Sequence, residues 1–179
     1  MRAVLRFFLA GLGFGLAVCL AGADNSPDRT GELDAAARSF VKAYHAKDVD
    51  ALLNAADAPF FVGTLRRPKT LTTAADLRAE LKARLARGDK FPAHVEKTLT
   101  WQKAITGLGV EEERRTRQAM KPAIDTTGAD GGYAALADPV GGGKGRRQWM
   151  AISELRLLVG IRDGKAKVVG ILADETGKR

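Results

Sequence analysis

The sequence predicts an α+β fold, and three features carry that expectation. Apolar residues recur at helical spacing through the first half of the 179-residue chain. Apolar runs of strand length, parted by glycine-rich connections, occupy the second half. The last two runs fold back across Arg162-Asp163-Gly164-Lys165, because Asp-Gly between apolar segments suits a type I′ turn.

The first helix is expected over 31–46, where Leu33, Ala36, Ala37, Phe40, Val41 and Tyr44 form one apolar stripe and Thr30 is the candidate N-cap. A shorter helix follows over 49–56, with Asp48 as cap and Leu52 and Leu53 turned inward. Pro59 ends it, and Phe60-Phe61-Val62 reads as a short buried strand. Thr73 caps a third helix that runs to Arg87 on Leu77, Leu81 and Leu85, and Gly88 supplies its stop. Val95, Leu99 and Trp101 lie in an extended, threonine-rich stretch. Over 111–120 the pairs Glu111/Arg115 and Glu113/Arg117 favour a short exposed helix, with a strand as the alternative. Strands are expected over 133–137 and from 148 to 153. In the closing hairpin, 155–161 and 166–172 pair so that Val159 opposes Val168, Ile161 opposes Ala166, Leu157 opposes Gly170 and Leu155 opposes Leu172. That face belongs to the core. The other carries Arg156, Arg162, Lys165 and Lys167 and is wet near the turn.

Ahead of this lies a secretory pattern. Arg2 and Arg6 precede a charge-free apolar run over 7–20, and Ala21-Gly22-Ala23 provide the small residues that a signal peptidase requires. The run is shorter than the roughly 20 residues that span a bilayer, so cleavage before Asp24 is favoured over a retained anchor. The expected organisation is a signal peptide over 1–23, a polar leader over 24–30, one domain over 31–174 and a tail over 175–179. The product is then exported, periplasmic or extracellular, with no membrane span. Lipid anchoring at Cys19 is the lesser option, because Val18 stands where a lipoprotein signal places a small residue. Cys19 is the only cysteine, so the cleaved product forms no disulfide and no thiolate metal site. His45 and His94 are the only histidines, and neither has a ligand at metal-site spacing.

The stretch from Phe40 to Leu52, with Ala43, Asp48 and Leu52 in an Ala-x-x-x-x-Asp-x-x-x-Leu pattern, resembles the opening of nuclear transport factor two-like (SnoaL-like, cystatin-like) domains. The Arg162–Lys165 hairpin is similar to their end. That resemblance implies N-terminal helices packed on a curved antiparallel sheet, forming a cone with a pocket. Tyr44, Phe60, Trp101, Tyr133 and Trp149 are the pocket-lining candidates it suggests. The ketosteroid isomerases of that superfamily need a tyrosine on the first helix and an aspartate after the first strand. Here those places hold Phe40 and Val62-Gly63-Thr64, so that mechanism is disfavoured.

Other chemistries find little support. Gly141-Gly142-Gly143-Lys144-Gly145 fails the phosphate-loop pattern at Asp138 and Gly145, and Ser153 sits in no nucleophile elbow. Tyr44, Asp57 and His94 are the weak candidates for a non-standard acid–base site of isomerase or lyase type. Net charge is +8, and ten basic against four acidic residues fall between Thr64 and Lys103. Arg66, Arg67 and Lys69 there mark a basic surface suited to an anionic polymer or membrane surface, whereas the scarcity of aromatics argues against nucleic acid. The preferred reading is a non-catalytic exported domain that binds a small molecule or protein partner without a cofactor. The acid–base enzyme and the electrostatic adaptor are the alternatives, and a homodimer is compatible with all three.

Overall fold

The computed structural model describes residues 28–106, 108–140 and 149–173, with backbone alone at 139–140 and 149–154. The secretory segment, Cys19, most of the leader, the glycine loop and the tail lie outside the described residues. Helix α1 spans Thr30–His45 and buries Leu33, Ala37, Phe40, Val41 and Tyr44, the predicted stripe. It begins one residue earlier than expected. Arg29 is the N-cap position and makes no side-chain cap bond, while Asp28 accepts from both Thr30 N–H and its hydroxyl. Helix α2, Val49–Ala55, is capped by Asp48, whose carboxylate accepts from Ala51 N–H at 2.9 Å. Helix α3, Ala74–Arg87, is capped by Thr73 and closed by Gly88 at φ +69°.

Six strands form one sheet: β1 (Ala56–Gly63), β2 (Pro68–Leu71), β3 (His94–Thr100), β4 (Gly132–Val140), β5 (Trp149–Arg162) and β6 (Lys165–Ala173). Their spatial order is β2-β1-β6-β5-β4-β3. The expected antiparallel sheet is therefore mixed, because β1 runs parallel to β6 while the other four ladders are antiparallel. Strands β3 to β6 form a meander, and no hairpin constrains the direction in which β1 joins its free edge. Register shifts interrupt four of the five ladders, and such bulges bend strands and curve the sheet. Strand β2, an edge with one apolar residue in four, escapes the sequence pattern; its Pro68 and Lys69 are residues that guard edges against further pairing.

The hairpin turn is the predicted one, with Asp163 at φ +49° and Gly164 at φ +76°. Val159 pairs with Val168 and Ile161 with Ala166 as expected. Beyond them a bulge opens: Leu158 pairs with Gly170, Leu157 with Ile171 and Arg156 with Leu172. Val169 is the extra residue, so Ile171 rather than Leu172 takes the face shared with Val159. That face packs on α1, α2 and α3 around Phe40, Phe60, Leu157 and Val159.

The opposite face is exposed at the turn, as expected, and covered beyond it. Helix α4 (Trp101–Ile105) and helix α5 (Val110–Thr127) lie over it, and Trp101, Ala123, Leu158, Val169 and Leu172 form a second core. Trp101 thus opens a helix instead of ending a strand. The expected short helix is 18 residues long and continues through Pro122. Its first half is exposed and carries the anticipated Glu111–Arg115 and Glu113–Arg117 pairs at 3.2 and 2.8 Å. Its second half presents Met120, Ala123, Ile124 and Thr127 at helical spacing to the sheet. No helix among the described residues is long and apolar enough to cross a membrane.

A polar tie fastens α1 to edge strand β3. Thr98, 7% exposed, donates to Asp34 at 2.8 Å, and Arg38 donates to the other carboxylate oxygen at 2.6 Å. Partial burial opposes ionisation of Asp34, but the Arg38 and Thr98 bonds outweigh it and hold the carboxyl below its ordinary range.

Candidate functional site

Two helices end side by side at one margin of the sheet. In α1, Lys47 adopts φ +55°, and Lys47 and Asp48 N–H groups donate to Tyr44 and Ala43 carbonyls. In α3, Gly88 and Asp89 N–H groups donate to Leu85 and Arg84 carbonyls, the paired bonds of a Schellman end. The chain leaving α3 then lays Phe91 on Tyr44, with ring centroids 4.3 Å apart and planes 26° from parallel. Phe40 meets Phe91 at 6.0 Å. His45 Nε2 lies 3.1 Å from the Pro92 carbonyl, which can only accept, so this nitrogen carries the proton. Asp138 on β4 accepts from Ala93 N–H at 2.9 Å. The segment after α3 is thereby pinned to α1 on one side and β4 on the other.

These contacts border an open cavity of about 420 Å³ lined by Tyr44, His45, Lys47, Leu85, Lys90, Phe91 and Asp138, within the size range of small-molecule sites. Tyr44 is 5% exposed. Its hydroxyl donates to the Asp89 carbonyl at 3.4 Å, the long limit of such a bond. Burial, reinforced by the Asp89 carboxylate, pushes the phenol up and keeps it protonated. It is a donor, not a base. Arg87 grips Asp89 through Nε at 3.2 Å and a terminal nitrogen at 2.9 Å. Those hydrogen bonds lower the Asp89 carboxyl.

The other candidates are dispersed. Asp57 borders a different cavity, about 350 Å³, between α2, β1 and the start of α3, and bonds its neighbour Ala58 N–H at 2.8 Å. His94 is exposed at the start of edge strand β3. Four interstrand spacings separate the strands of Asp57 and His94, roughly 19 Å along the sheet. Tyr44, Asp57 and His94 do not share a cavity. Phe60 is fully buried in the core. Trp101 belongs to the opposite face, where its indole N–H donates to Thr127 Oγ1 at 2.6 Å and Tyr133 packs at 5.5 Å. Trp149 starts β5 opposite Val140; its side chain lies outside the described residues. A third cavity of about 290 Å³ lies beside Trp101; Lys103, with Thr30, holds the Asp28 carboxyl there down to about 2. Among the four pocket candidates whose side chains are described, Tyr44 alone borders the first cavity.

Arg66 and Arg67 are exposed in the β1–β2 connection and Lys69 on β2. Much of the remaining basic segment is neutralised: Arg78 pairs with Asp50, Arg84 with Glu80, Arg87 with Asp89 and Lys103 with Asp28. No group of three His, Cys, Asp or Glu residues suited to a metal ion occurs among the described residues. Phe91, Lys90 and Asp138 were not singled out from the sequence. Phe91-Pro92 beside a helix stop was the one local signal, and Asp138 reaches the site only through β-pairing.

No family model matches the chain, and no curated protein matches it. Several solved structures show a distant likeness, two of them as follows. An uncharacterized cystatin fold protein from Novosphingobium aromaticivorans is 12% identical over 77% of this chain and 95% of its own, with a TM-score of 0.41. A protein of unknown function with a cystatin-like fold from Nostoc punctiforme is 12% identical over 81% of this chain and 90% of its own, with a TM-score of 0.36.

Proposed function

We propose that this chain is an exported binding domain of nuclear transport factor two-like layout, and that the cavity beside Tyr44 takes a small molecule. The carrying observation is a buried tyrosine that lines a ligand-sized space and whose hydroxyl makes a long internal bond of 3.4 Å. Of the acid–base candidates, Asp57 and His94 lie outside this cavity, and its own His45 and Asp138 are engaged by the Pro92 carbonyl and the Ala93 amide, which favours binding over catalysis. In a nitrogen–proton NMR screen with a fragment library of mixed charge, shifts should centre on the amides of Tyr44, Lys47, Gly88 and Phe91. Tyr44→Leu should abolish them. Hits gathered around Trp101, or none at all, would reject the cavity as the site.

Export is supported by the order of Arg2, Arg6, the apolar run and Ala21-Gly22-Ala23. Intact mass of the exported protein should correspond to a chain starting at Asp24. A product that keeps residues 1–23, or one carrying lipid on Cys19, would contradict a soluble exported domain.

A further inference from the structure

The charges around the Tyr44 cavity are not balanced in use. Its acids are engaged within the protein: Asp89 by Arg87 through two bonds, and Asp138 by the Ala93 amide. Its two lysines, Lys47 and Lys90, are exposed and form no ion pair among the described residues. The Trp101 cavity is the reverse, since Arg29, Lys103 and Arg117 are each paired, with Glu32, Asp28 and Glu113.

A second feature concerns backbone conformation. The two adjoining helix ends use the same left-handed closing residue, yet α3 places glycine there at φ +69° and α1 places Lys47 at φ +55°. A side chain is disfavoured in that conformation. The helix stop alone would be served better by glycine, so the lysine stands at the cavity mouth against local preference.

We propose that the Tyr44 cavity takes a small organic anion, with Lys47 and Lys90 as its counter-charges and the Tyr44 hydroxyl exchanging its long bond to the Asp89 carbonyl for one to the acid group. Phe91, Tyr44 and Leu85 offer apolar surface to the rest of the molecule. Charge-assisted hydrogen bonds are the stronger kind, but lysines at an open mouth are screened over about 8 Å at physiological ionic strength. Preference for an anion should therefore be several-fold and salt-sensitive.

This assignment presupposes the ligand-binding reading of the cavity, and matched probes separate the two. Benzoate, benzamide and benzamidine share a ring and differ in charge. Titrated against the folded chain by NMR, benzoate should move the Tyr44, Lys47 and Phe91 amides at least fivefold more tightly than benzamide, and benzamidine should be weakest. The double variant Lys47→Gln/Lys90→Gln should weaken benzoate about fivefold to tenfold and leave benzamide unchanged. Lys47→Gly should keep or raise the melting temperature while weakening benzoate, which separates charge from folding. Equal binding of benzoate and benzamide at the cavity, or benzoate indifferent to both lysines, would overturn the anion assignment and leave the cavity a binding site. No shift with any of the three would overturn both.

Discussion

Val159→Asp should cost more than about 4 kcal/mol and leave the chain largely unfolded at 37 °C, since typical domains have only about 5–15 kcal/mol to lose. Val159 is 0% exposed. It sits between Val168 on β6 and Gly132 on β4 and faces the core built on Phe40, Phe60 and Leu157. A carboxylate there has no cation to meet, and its desolvation is uncompensated. The pH dependence supplies a sign. Burial raises the folded-state pKa of the new carboxyl above its unfolded value of about 3.9. The penalty for charge is therefore absent below that value and grows as pH rises through neutrality. Thermal melts should show a larger gap from the parent at pH 7 than at pH 4. Lys167→Met, on the same hairpin, removes a donor to the Asn54 carbonyl near the end of α2 and should cost about 1 kcal/mol. Near-identical melts of Val159→Asp and the parent would mean that the register on this side of the bulge is wrong.

What the sequence disclosed and what it concealed divide by range. Asp48, Thr73 and Gly88 act on partners within five residues, so their roles as caps and stop are visible in the residue string. The Asp163-Gly164 turn is equally local, and so are the Glu–Arg pairs of α5. The parallel ladder joins Ala56 to Val168, more than a hundred positions away, and no short pattern encodes that. The bulge at Val169 is hidden because a run of apolar residues serves both faces once both are buried, so alternation no longer reports register. The Glu–Arg pairs mark only the first half of α5, and the helix runs on through Pro122 to Thr127 although a proline is a poor interior residue. The Pro122 ring deprives only the Gln118 carbonyl, on an exposed residue where water can serve. Tyr44 is legible as a stripe residue and, through the resemblance, as a pocket candidate, but the cavity depends on Phe91 and Asp138, contributed by a connection and a strand that meet α1 only in three dimensions.

Gly160→Ala offers the second large effect, and its sign is informative. In a strand, alanine is normally no worse than glycine, which orders at a greater entropic cost and packs nothing. The backbone of Gly160 has no positive φ that would exclude a side chain. A methyl here should then be neutral or helpful, unless something occupies its place. Something does: a Cβ would stand 2.7 Å from the Thr127 carbonyl oxygen and 3.1 Å from its Cα. Thr127 is the last residue of α5, 2% exposed, and its hydroxyl binds both the Ala123 carbonyl and the Trp101 indole. The obstacle is backbone and cannot rotate aside, so the methyl must lift the end of α5 off the sheet and part Trp101 from Thr127. The expected loss is about 3 kcal/mol, in the range of overpacked cores. The Trp101 indole N–H resonance, assigned with Trp101→Phe, should move toward the position of a water-exposed indole. Gly31→Ala is the matched control. It makes the same chemical change near the start of α1, where a Cβ meets nothing within 4 Å, and it should hold or slightly raise the melting temperature. If Gly160→Ala melts with the parent and the indole resonance stays in place, α5 does not rest on β5 through Thr127. The packing of α5 on the second core would then have to rest on Met120, Ala123 and Ile124.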